Sequence, residues 1–171
     1  LLWIISILPF RLFYWFSDCI YFVVYYIIGY RKKIVRYNLS IALPHLTEEK
    51  RLIIEKKFYQ HMCDMFLEMI KTMSISSAEM NKRFVITNID LIKEYEQKEK
   101  SIILLASHYA SWEWLLSINE RTKFKCIGVY KKINNRYFDA LVRRIRSKFD
   151  SELVTTNKTI ALIAENQEKG I

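Results

Sequence analysis

The first thirty positions carry little polar punctuation, 24 of them being hydrophobic. Leu1 to Phe10 is broken only by Ser6 and Pro9, Arg11 interrupts, and Leu12 to Ile28 runs for 17 residues with Ser17 and Asp18 as its polar members. Either stretch falls short of the roughly 20 apolar residues that cross a bilayer, while the two together exceed one span. Pro9 predicts a kink or break between them. From Arg31 to Leu43 apolar and basic positions mix in an amphipathic segment suited to a membrane surface, and Pro44 ends it. Thr47 then offers an N-cap, with Glu48 and Glu49 in the first turn, for a helix of about 25 residues. Along it Ile54, Phe58, Met62, Met65, Phe66, Met69, Ile70 and Met73 form an apolar stripe, either core or an acyl-facing surface.

Beyond Met73 the period changes. Ser76 and Glu79 have capping-box spacing and predict a short helical turn. Phe84–Thr87, Ile102–Ala106, Phe124–Tyr130 and Leu153–Thr155 are apolar runs too short for helices, and Ile89–Glu99, Tyr137–Phe149 and Thr159–Glu168 read as helices between and after them. Strands alternating with helices predict an α/β body with a mostly parallel sheet and flanking helices, preceded by an N-terminal membrane-anchoring helical segment. The boundary is expected at residue 30, with 1–30 the anchor and 31–171 the body. The absence of an initiating Met, and a turn at Gly170-Ile171 that points to a further strand, read as a C-terminally truncated chain.

Composition separates these two parts. The 171 residues are 51% hydrophobic, yet mean hydropathy is 0.00 and net charge is +9, which excludes disordered and collagen-like classes. Eleven of the 25 aromatics lie in the first thirty residues. Trp3, Trp15, Tyr21, Tyr25, Tyr26 and Tyr30 suit the headgroup level, and Arg31, Lys32, Lys33 and Arg36 place the body on the cytoplasmic side. A cleaved signal peptide and a buried core helix are the alternatives, and no small-residue cleavage site follows the run. Cys19, Cys63 and Cys126 are odd in number and form no C-x-x-C pair, so neither a disulfide framework nor a cysteine zinc site is indicated. Lys131 to Lys148 holds seven cations against one acid, Asp139, and so carries +6 of the total charge. That strip is expected to meet phosphorylated headgroups, an anionic bilayer or an acidic protein. It has no base-reading motif, and an adjacent anchor favours lipid over nucleic acid.

Candidate chemistry gathers at Ser101–Trp114, SIILLASHYASWEW. A buried strand runs out at Ser107, His108 follows, and Ser111 as N-cap would bring Glu113 into the first turn of a helix. Ligands of open α/β sheets bind at such strand ends. His108 and Glu113 fit an acid/base dyad, the imidazole taking a proton from a hydroxyl while the carboxylate accepts from the other ring nitrogen. The alternative is a His satisfied by a backbone carbonyl and a Glu that only begins a helix. His61, Asp64 and Glu68 have a sparse metal-like spacing, and no metal site is expected.

HYASWE resembles the His-x4-Asp/Glu motif of acyltransferases. The ordered set of anchor, RKKIVRYNLSIALPHLTEEKR, SHYASWEW and VYKKINNRYFDALVRRIRSKF is similar to the lipid A biosynthesis lauroyl/myristoyl acyltransferase family of bacterial inner membranes. The resemblance covers nearly the whole chain and implies a glycerol-phosphate-acyltransferase-like body over 31–171. It implies acyl transfer from an acyl carrier protein thioester, or a coenzyme A thioester, to a hydroxyl of an anionic lipid A precursor, with no further cofactor. His108 would be the general base and Glu113 its orienting partner, while Lys131, Asn135, Arg143 and Arg146 would contact substrate. Implied partners are acyl carrier protein, the lipid acceptor and the membrane. Where the family often has Gly before the His and Gly-Asn before Trp-Glu, this chain has Ser107 and Ala110-Ser111, and Lys132 replaces a common Pro. Those departures leave another amphiphile, a lysophospholipid or glycolipid, as an alternative acceptor, and a catalytically silent basic surface protein as an alternative class.

Overall fold

A computed structural model describes residues 1–165 and divides into two compact units, Leu1–Lys71 and the remainder from Thr72. The helix expected to reach Glu168 is seen as far as Glu165, and the turn at Gly170-Ile171 lies outside the described residues.

The first unit is all helical. Its first helix, α1 (Leu2–Ile7), stops because the residue before a proline is driven out of helical conformation. Leu8 is extended (φ −55°, ψ 139°) and Pro9 begins α2 (Phe10–Phe22). The break leaves helix-end carbonyls without intrahelical donors. Lys71, at the end of α4, supplies them, its buried ammonium donating to the oxygens of Ser6 and Leu8 at 2.6 Å each. α2 continues as wider π-helical turns over Val23–Ile28 until Gly29 closes it at φ +66°, a left-handed conformation natural to glycine. α3 (Lys32–Ala42) and α4 (Glu48–Lys71) follow, with Glu48 and Glu49 in the first turn of α4 as expected.

The face of α4 that is most withdrawn from water is not its Met stripe. Glu55, Tyr59, Cys63, Leu67 and Lys71 are buried at four-residue steps, whereas Phe58 and Phe66 are exposed. The reason lies in the partner helices, whose own polar groups need polar mates. Tyr25 donates to Glu55 Oε1 (3.0 Å), Tyr14 to Glu68 Oε1 (2.5 Å), Tyr59 to the backbone oxygen of Tyr30, and Gln60 Nε2 to Asp18 Oδ1 (3.1 Å). Arg36 of α3 completes the Glu55 site with Nε to Oε2 at 2.8 Å and Nη2 to Oε1 at 3.3 Å. Glu55 in turn holds the Arg36 pKa above its ordinary value, chiefly through this hydrogen bond.

The second unit is helix-rich α/β. Ser76 caps α5 (Ser77–Arg83) by accepting from the Glu79 amide at 3.2 Å, as the capping-box spacing predicts. After α6 (Ile89–Gln97) and a 3₁₀ helix (Trp112–Arg121) comes one crossover unit, β1 (Ile127–Tyr130), α7 (Arg136–Arg146) and β2 (Glu152–Thr155), then α8 (Thr159–Glu165). The strands pair in parallel with Ile127 opposite Glu152 and Tyr130 opposite Thr155. Tyr130, Val142, Ile145, Phe149 and Val154 form its core with Trp114 and Ile118 of the 3₁₀ helix. Gly128 permits that packing, since a Cβ there would meet Leu153 Cδ2 at 3.0 Å and Leu116 Cδ2 at 3.4 Å.

Two expected strands are absent from the sheet, which has two strands among the described residues. Phe84–Thr87 and Ile102–Ala106 have no regular strand pairing, and Ile103 and Leu105 are 85% and 90% exposed. An apolar run predicts a strand only where neighbouring strands exist to accept its backbone bonds, and none borders these runs here.

Lys71→Met keeps the apolar stem but removes the donors to Ser6 and Leu8. It should lower stability by about 1–3 kcal/mol in denaturant titrations in detergent, whereas Lys56→Met, on an exposed position, should change it by less than about 0.5 kcal/mol.

Candidate functional site

The site grows from the turn Ser107–Ser111, which enters the 3₁₀ helix. The Tyr109 amide donates to the Ser107 carbonyl, the Trp112 amide to that of Ala110 and the Trp114 amide to that of Ser111, each at 2.9 Å. The turn needs a left-handed residue at Ala110, whose φ is +50°. It exposes His108 and directs Glu113, on the first turn of the helix, into the interior.

Glu113 is met there by Arg146 from the last turn of α7. Nε donates to Oε2 at 2.8 Å and Nη2 to Oε1 at 2.6 Å, with side-chain exposures of 16% for Arg146 and 6% for Glu113. This paired geometry gives the carboxylate two charge-assisted hydrogen bonds in place of water. Trp112 lies beside both features, its ring 4.2 Å from the His108 ring, centroid to centroid, and 5.2 Å from the Arg146 guanidinium carbon. Hence an exposed imidazole, an indole and a buried ion pair sit together. Among the described residues, no hydrogen bond joins His108 to Glu113 directly.

The other expected contact residues are spread along β1–α7. Lys131 is exposed just after β1. Asn135 is the N-cap of α7, its Oδ1 accepting from the amides of Tyr137 (3.0 Å) and Phe138 (3.1 Å). Arg143 is exposed and lines, with Arg144, Ser147 and Glu152, an open groove of about 600 Å³ between α7 and the start of β2. Arg146 is turned toward Glu113. The cationic strip therefore divides, with Arg136, Arg143 and Arg144 facing solvent while Arg146 and Lys148 are drawn inward. Lys148 donates to the Met73 carbonyl at 3.3 Å, and burial pushes its pKa down.

Two contributors escaped the sequence reading. Trp112 enters there only as a position within the HYASWE motif. Asp139, the lone acid of the strip, is buried and accepts from the Ile133 amide at 2.9 Å, so it pins the loop that carries Lys131 and Lys132. The signal for Asp139 was its isolation among cations. Among the described residues, no group of three or more His, Cys, Asp or Glu side chains is placed to hold a metal ion, His61, Asp64 and Glu68 included.

The family model for bacterial lipid A biosynthesis acyltransferases matches residues 1–170. The chain belongs to this family. It is therefore an acyltransferase. No curated protein matches it. The family often has glycine where this acyltransferase has Ala110, and the positive φ found there is what glycine adopts without strain.

Ala110→Gly should therefore relieve about 1–2 kcal/mol of left-handed strain, offset by about 0.4–1 kcal/mol of added unfolded-state freedom. A Tm rise of about 1–4 °C follows, and Ala110→Val should lower Tm instead; the opposite order in thermal unfolding would contradict a strained turn.

Proposed function

We propose that this acyltransferase moves a fatty acyl chain from an acyl carrier protein thioester to a hydroxyl of a lipid A precursor, with His108 as general base. The observation that carries this reading is the exposed His108 ring set against Trp112, whose ring in turn meets the Arg146 that pairs with the buried Glu113. In the proposed step the acceptor hydroxyl oxygen bonds to the thioester carbonyl carbon as its proton passes to His108. The tetrahedral intermediate then collapses, the carbon–sulfur bond breaks, and the imidazolium returns the proton to the departing thiolate. A thioester is already activated, so one base, oxyanion stabilisation and alignment suffice, with no metal and no covalent enzyme intermediate demanded.

Glu113 supports the imidazolium by its nearby negative charge. Arg146, which the sequence suggested as a substrate contact, acts in this reading as its positioning partner, holding the carboxylate in place by two hydrogen bonds. Lys131, on the pinned loop, and Arg143, on the open groove, remain available for phosphates of the acceptor or acidic groups of the carrier protein. Asn135 contributes by fixing the start of α7. The proposed setting is the bacterial inner membrane, with the catalytic body on the cytoplasmic face, supported by Arg31, Lys32, Lys33 and Arg36 directly after the apolar segment. The crossover β1–α7–β2 is read as part of the larger parallel sheet of a glycerol-phosphate-acyltransferase-like fold. Ser107 and Lys132, which depart from the family's usual residues, favour a second reading of the acceptor as another anionic amphiphile.

His108→Ala should abolish thioester-dependent acylation of a lipid A precursor, by a factor of about 10² or more, with the circular dichroism spectrum unchanged. Transfer close to the unaltered rate would remove His108 from the mechanism.

A further inference from the structure

The stretch Phe10–Ile28 is 19 residues long and apolar enough to cross a membrane. Its two faces, however, have different partners. The inward face carries Phe13, Tyr14, Ser17, Tyr21 and Tyr25, and it lies along α4 in antiparallel order: Tyr14 meets Glu68, and Tyr25 meets Glu55. Asp18, beside this face, meets Gln60 near the middle of both helices. The outward face carries Leu12, Trp15, Phe22 and Tyr26, which are 53–66% exposed, with Cys19 among them. These positions recur at three- and four-residue steps and make one continuous stripe.

The pairing constrains how a bilayer can be met. At 1.5 Å per residue, α4 is about 36 Å long and Phe10–Ile28 about 28 Å, and they run side by side. If the apolar stretch crossed the hydrocarbon, α4 would cross with it. Its exposed Lys56, Lys57, Gln60 and His61 would then sit near the bilayer centre, where charged and strongly polar side chains are heavily disfavoured. A helix lying flat has no such conflict. It sinks its outer stripe to the headgroup–acyl boundary and keeps its inner stripe on α4 above the surface. The flanks suit that depth: Arg11, Arg31, Lys32 and Lys33 can meet anionic headgroups while Trp3, Trp15, Tyr26 and Tyr30 lie at the interface. α1 adds Trp3, Ile4 and Ile7 as exposed apolar residues.

We infer that Leu1–Lys71 binds an anionic bilayer in the plane of one leaflet, through the outer stripe of α2 together with α1, and that Phe10–Ile28 does not cross. This rests on the membrane-associated reading of the chain and names the geometry of that association. It gives the protein a single-sided attachment, with both ends of Phe10–Ile28 and the whole of α4 on the same side of the membrane.

Sealed vesicles of phosphatidylethanolamine and phosphatidylglycerol carrying the full chain test this geometry. Arg11→Cys and Glu49→Cys, exposed at opposite ends of the paired helices, are each added singly, and labelling by a membrane-impermeant maleimide is compared with the parent protein. The inference predicts that both added thiols react from the same side before the vesicles are lysed. Protection of one added thiol until lysis, with the other reactive throughout, would show a crossing helix and overturn it. Trp15→Glu with Phe22→Glu should reduce vesicle binding at least tenfold without changing helical content. Unchanged binding by that double variant would overturn the outer stripe as the contact, and failure of the parent protein to bind at all would overturn the membrane reading beneath it.

Discussion

A carboxylate and a guanidinium, both drawn out of water, tie the histidine turn to the helix of the cationic strip. Glu113 begins the 3₁₀ helix that follows the His108 turn, and Arg146 ends the helix that carries the cationic strip. Removing one member of such a pair leaves the other charge buried and unpaired, which costs about 3–5 kcal/mol in comparable sites. The pair thus fixes the distance between the turn and α7 and keeps Trp112 beneath the imidazole. An imidazole on an exposed turn gains orientation only from what lies under it, and here that is an indole with an ion pair behind it.

The same principle, polar groups matched before they are buried, shapes the N-terminal unit. A helix as apolar as α2 has little chemical reason to choose one neighbour over another. Its few polar side chains provide one, because Tyr14 and Asp18, with Tyr25 of the π-helical turns, find hydrogen-bonding mates on α4. Lys71 closes the arrangement by meeting the carbonyls that Pro9 frees at the end of α1. The interior of this unit therefore holds Ser6, Ser17, Glu55 and Lys71 while Trp15, Phe22 and Tyr26 lie outside, an arrangement that suits a lipid-facing surface.

Local signals in the sequence translated directly into structure where the residues involved are neighbours in the chain. Pro9 breaks the helix, Ser76 caps the next, and Glu48 opens a helix that runs to Lys71. The crossover β1–α7–β2 was legible from two short apolar runs around an amphipathic one. Signals that depend on partners were not. The Met stripe of α4 looked like its interior, but Tyr14 and Tyr25 claim the adjacent face through Glu68 and Glu55. Ile102–Ala106 has the composition of an inner strand yet no bordering strand among the described residues. At the site, the hydrogen bond expected between His108 and Glu113 is not formed, although their spacing could be read. The attachment of Glu113 to Arg146, 33 residues away, could not, since a cation in a run of cations gives no sign of which one turns inward. The same ambiguity hid Asn135 as a helix cap and Asp139 as the clamp on the loop before it.

The central claim, that this chain's histidine turn acylates a lipid A precursor, is tested most directly by mass spectrometry of lipid A from cells in which the full-length gene is disrupted. The account predicts lipid A lighter by one acyl chain, restored by the unaltered gene and not by the His108→Ala form. Lipid A of unchanged mass after disruption, or full restoration by His108→Ala, would contradict it.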